Sequence, residues 1–234
     1  GLALLVVFVV HQKVTPHALV PLTLFADRVF TAANICTFAI YGALSGSMFL
    51  LVLQLQYVSG YSPLEAGLAT ISITILMLLF SSKAGELGAK IGPRWPMTIG
   101  PVVAAAGLLM MLGIGRHPNF WIDVLPGSIV FGAGITLLVA PLTTAVLAAA
   151  PMDQTGIASG INNAVARTAS LLAVAAIPPI AGIAGANFAD PAVFSPGYRT
   201  GMWICAGMLV VAGVCAMTLI HGRKVSPEVL QSDS

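Results

Sequence analysis

One helical face in a hydrophobic stretch near the C-terminus carries the densest polar chemistry of this 234-residue chain. Gly156, Ser159, Asn163 and Arg167 are spaced by three, four and four residues, which stacks them on one side of a helix. Asn162 sits beside that face. Arg167 is the only basic residue well inside an apolar run. A guanidinium there has two readings. Either it faces a cavity or gate and pairs with a carboxylate or a substrate, or it snorkels to head groups or bonds a neighbouring helix end. Gly156 and Gly160 form a Gly-x-x-x-Gly pair of the kind that lets helices approach closely. Further upstream, Asn34, Phe38, Tyr41, Ser45 and Met48 recur by four, three, four and three. This aromatic, weakly polar stripe suits the wall of a cavity for a large apolar molecule, and it also suits ordinary helix packing. Gln54 and Gln56 beyond it can close a gate or mark a membrane interface.

Carboxylates are few. Asp123 is a candidate proton carrier, because coupling needs a titrating acid; Trp121 beside it points instead to interfacial depth. Glu65 follows Ser62-Pro63, where a carboxylate complements a helix dipole. The histidines, His11, His17, His117 and His221, fall in loops or at the ends of apolar runs. There is no G-x-x-x-x-G-K-[ST] phosphate loop. Gly156-Ile157-Ala158-Ser159-Gly160 is not a G-x-S-x-G nucleophile elbow. Cys36, Cys205 and Cys215 lie in apolar runs as small hydrophobes, without a CxxC pair or a Cys/His cluster. No enzyme activity, metal or cofactor is expected. The ten basic residues are scattered rather than striped, so no nucleic-acid partner is expected either.

The elements that position these residues follow from composition. Hydrophobic residues make up 58% and charged residues 8%, with a mean hydropathy of +0.97. A soluble domain carries about 25% charged residues, so the surplus apolar surface must face lipid. A short apolar run at residues 2–10 cannot cross a bilayer, and 1–12 is expected to end a preceding helix. Six longer stretches follow, at about 29–57, 64–80, 97–115, 120–150, 155–186 and 199–220. A charged loop is expected at 81–96 and a Pro/Gly-rich one at 187–198, with Pro126 and Pro141 breaking the fourth stretch. Only helices or closed barrels satisfy the backbone in lipid. Residues 101–112 lack the alternation a barrel requires, so the expected fold is all-α. With six crossings, Lys13, Arg28, Lys83, Lys90, Arg94, Arg223 and Lys224 fall on one side, and Arg116 and Arg199 on the other. The first side is then cytoplasmic, with a loop at 13–28, a bundle at 29–221 and a C-terminal tail at 222–234.

Residues 84–94, Ala-Gly-Glu-Leu-Gly-Ala-Lys-Ile-Gly-Pro-Arg, resemble the G-x-L-a-D-r-x-G-r-r loop of the major facilitator superfamily. Gly85, Leu87, Lys90, Gly92 and Arg94 match, while Ala89 stands where the family has an acid. The resemblance implies a conformational-switch loop of Gly85, Lys90, Gly92 and Arg94. Its glycines would permit a tight reversal. Residues 53–67 resemble the outer turn of that superfamily's fourteen-span drug/proton antiporters. Residues 158–167 are similar to their penultimate helix. Pro21 to Phe25 with Arg28, Phe30 and Asn34 is similar to the start of their ninth span.

Together these resemblances imply spans nine to fourteen, a six-helix polytopic membrane bundle with a 3+3 inverted repeat. They imply proton-driven export of amphipathic, often cationic molecules by alternating access. The expected partners are the lipid bilayer, an N-terminal half holding most proton-carrying acids, a small-molecule substrate and protons. Asn34, Phe38, Tyr41, Ser45, Met48, Ser159, Asn163 and Arg167 are the expected cavity residues, with Asp123 the proton-coupling candidate. This half is expected to supply one cavity wall and not to transport alone. An exporter of an amino acid or metabolite, or a non-transporting sensor of the same fold, would look alike. A six-helix channel is disfavoured, because no Asn-Pro-Ala occurs and Asn163 is followed by Ala164 and Val165.

Overall fold

The computed structural model describes residues 22–185, 188 and 190–220. The expected helix end at 1–12, most of the 13–28 loop and the 222–234 tail lie outside the described residues. So do Lys13, Arg223, Lys224, His11, His17 and His221. Six helices long and apolar enough to cross a membrane occur among the described residues: α1 (Arg28–Val58), α2 (Pro63–Ile91), α3 (Arg94–Gly113), α4 (Phe120–Ala148), α5 (Met152–Ile180) and α6 (Pro191–Leu219). At 1.5 Å per residue they are about 30 to 46 Å long. The hydrocarbon layer is about 30 Å thick, so the longer ones tilt or extend into the head groups.

Local sequence sets the helix starts. The Asp27 carboxylate accepts the Val29 and Phe30 amides at 2.8 and 2.9 Å. Ser62 and Glu65 form a reciprocal capping box, with Pro63 in the first turn of α2. Asp190 accepts the Ala192 amide at 2.9 Å, again with a proline following.

Two expected loops are helical instead. α2 continues to Ile91 through the segment expected to be a charged loop, so the reversal into α3 takes only Gly92 and Pro93. Outside the hydrocarbon a polar helix is as good as a polar loop, and Glu86 stands four residues before Lys90 in the favourable order. α6 begins at Pro191 rather than near 199. Hydropathy misses this turn because proline and glycine interrupt it, yet Phe194 and Tyr198 in it are fully buried. The fourth span is not broken. Pro126 stands where the wide opening turn Phe120–Val124 passes into the regular helix Leu125–Ala148, and Pro141 is accommodated inside that helix.

The helices pair in a definite pattern. α3 packs on α4, α1 on α6, α3 on α6, α1 on α5 and α2 on α4, with a lighter contact between α1 and α4. Exchanging α1 with α4, α2 with α5 and α3 with α6 maps this set of pairs onto itself. Three crossings per unit put the two units in opposite orientation, so this is an inverted 3+3 repeat. α2 and α5 each lean mainly on one neighbour and are the least buried spans, at 17% and 28%.

Glycines set how close these helices come. A Cβ at Gly107 would lie 2.7 Å from Phe131 Cα, and one at Gly100 would lie 2.9 Å from the Gly134 carbonyl. A Cβ at Gly134 would lie 2.8 Å from Ala104 Cα. The α3–α4 seam is therefore backbone against backbone. In lipid no hydrophobic force drives helices together, so this close van der Waals contact holds them. Gly134→Ala is expected to cost about 1 to 3 kcal/mol through overpacking. Gly207→Ala, whose Cβ would meet nothing within 4 Å, is expected to be neutral. Thermal unfolding in detergent checks this, and equal melting of the two variants would contradict the packing account.

Candidate functional site

The residues singled out on the first and fifth spans lie on the α1–α5 pair. Three hydrogen bonds hold the pair together. Asn162 Nδ2 donates to Thr37 Oγ1 at 2.7 Å and to Asn34 Oδ1 at 3.3 Å. Ser45 Oγ donates to Ser170 Oγ at 2.8 Å. Thr37 and Asn34 complete their bonding on the Ala33 and Phe30 carbonyls of their own helix, both at 2.9 Å. Gly42 and Gly46 bring the helices close: a Cβ at Gly46 would lie 2.6 Å from Ile177 Cδ1 and 3.3 Å from Cys205 Sγ of α6.

The bonds also fix the register. Thr37 pairs with Asn162 and Ser45 with Ser170, both 125 residues apart. Tyr41 lies midway, level with Ala166 and Arg167. Ser159, Asn163 and Arg167 are all exposed on one face of α5, as the spacing predicts. Arg167 stands at the middle of Met152–Ile180. Either end of the helix is then about 20 Å away at 1.5 Å per residue.

The stripe on α1 divides. Asn34 is 6% exposed and bonded into the α1–α5 interface. Phe38, 41% exposed, joins Phe25, Thr31, Asn34, Ile35 and Val165 around an apolar groove of about 260 Å³. Val165 and Arg167 are two residues apart, about 200° around a helix, so this groove and the arginine open on different sides of α5. Tyr41, Ser45 and Met48 are partly exposed. Tyr41 and Met48 are turned about 60° and 80° from Phe38 toward Thr37. In parallel helices, residues turned one way around the first share a side with residues turned the opposite way around the second. Tyr41 and Met48 therefore share the side of Asn163 and Arg167. A larger apolar groove of about 380 Å³ lies between α2 and α4, between Leu76, Phe80 and Leu137, and holds none of the expected cavity residues.

The expected switch residues separate as well. Gly85 lies within α2 against Ala140, where its Cβ would sit 3.6 Å from the alanine Cβ. Neighbouring Gly88 meets Pro141, with 2.7 Å to its Cγ. Gly88 serves helix packing, Gly85 stands where a Cβ would make only ordinary contact, and Gly92, at φ 85°, makes the reversal. Lys90 is exposed in the last turn of α2. Arg94 Nε donates to the Met217 carbonyl at 3.1 Å, tying the start of α3 to the end of α6.

Asp123 is used locally: its carboxylate accepts the Asn119 amide at 2.7 Å, while Asn119 accepts the Trp121 amide at 3.0 Å. The other described acids also stand toward helix ends: Asp27, Glu65, Glu86, Asp153 and Asp190. Among the described residues, Arg167 is thus the one charge held at mid-span.

A second polar cluster was signalled in the sequence by Gln54 alone. Three carbonyls at the end of α3 accept side-chain donors: Met111 from Tyr198 at 3.0 Å, Ile114 from Gln54 at 2.7 Å and Gly115 from Ser59 at 2.7 Å. The Ile114 and Gly115 carbonyls lie just past the last turn, and the Met111 carbonyl also accepts the Ile114 amide at 3.3 Å. The donors lie 56 to 87 residues away, so only the fold joins them. Gln54 is wholly buried and works as a clasp among α1, α3 and α6, not as an interface marker.

The two adjacent asparagines are expected to separate. Asn162→Ala should cost about 1 to 3 kcal/mol, because Thr37 and Asn34 lose a buried partner. Asn163→Ala should melt like the parent. Differential scanning fluorimetry in detergent checks this, and equal destabilisation of both would contradict the assignment.

A family profile described as Major Facilitator Superfamily matches residues 33–232. Multidrug resistance protein Stp of Mycobacterium tuberculosis is 35% identical over 162 residues, covering 67% of this chain and 29% of that protein. Quinolone resistance protein NorB of Staphylococcus aureus is 27% identical over 214 residues, covering 91% of this chain and 45% of that protein. The chain thus spans less than half the length of these relatives. With six membrane-spanning helices among the described residues, paired as an inverted repeat, and a match over 33–232, the chain belongs to the major facilitator superfamily of membrane transporters.

Proposed function

We propose that this chain is the C-terminal half of a proton-coupled exporter of amphipathic drugs or related small molecules, working by alternating access. The observation that carries the reading is the exposed polar face of Ser159, Asn163 and Arg167, with Arg167 at mid-helix, on a sparsely covered helix of an inverted-repeat bundle. A charge at that depth costs about 2.5 to 3.5 kcal/mol on insertion scales, so it is retained where it faces a water-filled cavity or a partner. The names of the two relatives, a multidrug and a quinolone resistance protein, support a drug-like cargo.

In this reading the open faces of α2 and α5 meet an N-terminal six-helix bundle, and substrate sits between the halves. Tyr41, Ser45, Met48, Ser159, Asn163 and Arg167 line this half's wall. Asn34 and Phe38 contribute from the interface and its outer groove. The end carrying Arg28, Lys83, Lys90 and Arg94 faces the cytoplasm, with the C-terminus on the same side. Gly92 and Arg94 act at the switch between α2 and α3. The proton-carrying acids belong to the N-terminal half, because the described carboxylates here stand toward helix ends.

The full-length protein, expressed in an efflux-deficient bacterium, is expected to raise resistance to a quinolone and to expel ethidium. A protonophore should stop that efflux. Efflux that persists without a proton gradient would refute the coupling, and absence of any efflux would refute the exporter. Asp123→Asn is expected to keep proton-dependent efflux, since an amide oxygen still accepts the Asn119 amide. Loss of proton dependence in that variant would restore Asp123 as a coupling residue.

A further inference from the structure

Arg167 poses an electrostatic question that the exporter reading leaves open. It stands at mid-span on the exposed face of α5. The nearest acid on its own helix is Asp153, fourteen residues or about 21 Å away along the axis. α1, the helix that α5 chiefly packs against, carries no charged residue after Arg28. α4, which touches α5 lightly, has Asp123 only at its far end, and α6 has Arg199 only near its start. The wall offered by this half therefore has one fixed positive charge and no matching negative one.

The groups around the charge are those that hold an aromatic anion. Arginine presents a planar fork that binds a carboxylate through two hydrogen bonds. Asn163 and Ser159 extend the donor set along the same face of α5, one and two turns below. Tyr41 lies level with Arg167, partly exposed, held there by the Thr37–Asn162 and Ser45–Ser170 bonds on either side. Met48 continues the same side of α1. A phenol ring and a thioether offer flat apolar contact to a ring system. A substrate carrying only positive charge gains nothing from the guanidinium.

We infer that Arg167 and Asn163, with Tyr41 beside them, form a recognition site for the carboxylate of an aromatic substrate. The inference rests on the exporter reading and names the substrate class for that same wall. The resemblance to drug/proton antiporters implied cargo that is often cationic. The wall built here selects cargo that carries a carboxylate, including zwitterions.

The test uses the full-length protein in proteoliposomes with three probes: a quinolone carboxylic acid, its methyl ester, and ethidium. Arg167→Gln is expected to lower transport of the acid about tenfold, the loss of one charge-assisted hydrogen-bond partner. The ester and ethidium should stay within about twofold of the parent. Arg167→Lys should recover part of the acid transport, because the charge remains and the fork is lost. Binding of the acid to detergent-purified parent and Arg167→Gln protein, read by isothermal calorimetry, should show the same loss. Equal loss for all three probes would overturn the inference, placing the partner of Arg167 on the protein. Unchanged transport of the acid would overturn it too. A parent protein that moves none of the probes, yet binds the acid through Arg167, would refute the exporter while leaving the site standing.

Discussion

Every backbone amide and carbonyl inside the bilayer must find a partner within the protein, since hydrocarbon offers none. The spans are helical for that reason, and the constraint extends to their ends. At the end of α3 the Met111, Ile114 and Gly115 carbonyls accept from Tyr198, Gln54 and Ser59. The caps come from α1, the turn after it, and α6. Satisfying one helix end thus locks three helices together at one face of the bundle. At the opposite face Arg94 does similar work on the last turn of α6.

Once the helices are self-satisfied, lipid supplies no hydrophobic drive to join them. What remains is contact between backbones, and the α3–α4 seam is made of it: Gly100, Gly107 and Gly134 each stand where a methyl group would strike the other helix. Gly213 extends the same device to α6, with the Thr98 carbonyl 3.0 Å from where its Cβ would be. This packed spine leaves α2 and α5 as outlying helices. The two attachments differ in chemistry. α5 is fastened to α1 by asparagine, threonine and serine side chains, while α2 meets α4 through Gly88 on Pro141 and Gly132 on Ile73. A polar clasp fixes depth and rotation, whereas a smooth glycine and proline contact fixes only distance. The side chains whose positions matter for recognition are on the clasped pair.

Electrostatics follows from this placement. Carboxylates serve helix starts at Asp27, Glu65, Asp123 and Asp190, which keeps them in reach of water and of helix dipoles. The middle of the bundle is left with hydroxyls, amides and one guanidinium. A wall of that kind holds substrate mainly by shape and contact, with a single charged anchor.

Much of this was legible in the sequence. Composition dictated lipid-facing helices, because 8% charged residues cannot cover a protein in water. Helical periodicity put Ser159, Asn163 and Arg167 on one face, since the 3.6-residue repeat is a local property. Capping at Ser62 and Glu65 was equally local. Hydropathy misjudged residues 81–91 and 191–198, because it measures preference for lipid and not helicity. Only the tertiary structure decided the rest. The adjacent asparagines, alike in sequence, were assigned opposite fates by a neighbour 125 residues away at Thr37. The even stripe on α1 was divided because α5 lies across it. Gly88 became a packing surface because α4 brings Pro141 against it. Sequence determines what each helix is and which way its faces turn; only packing determines what those faces meet.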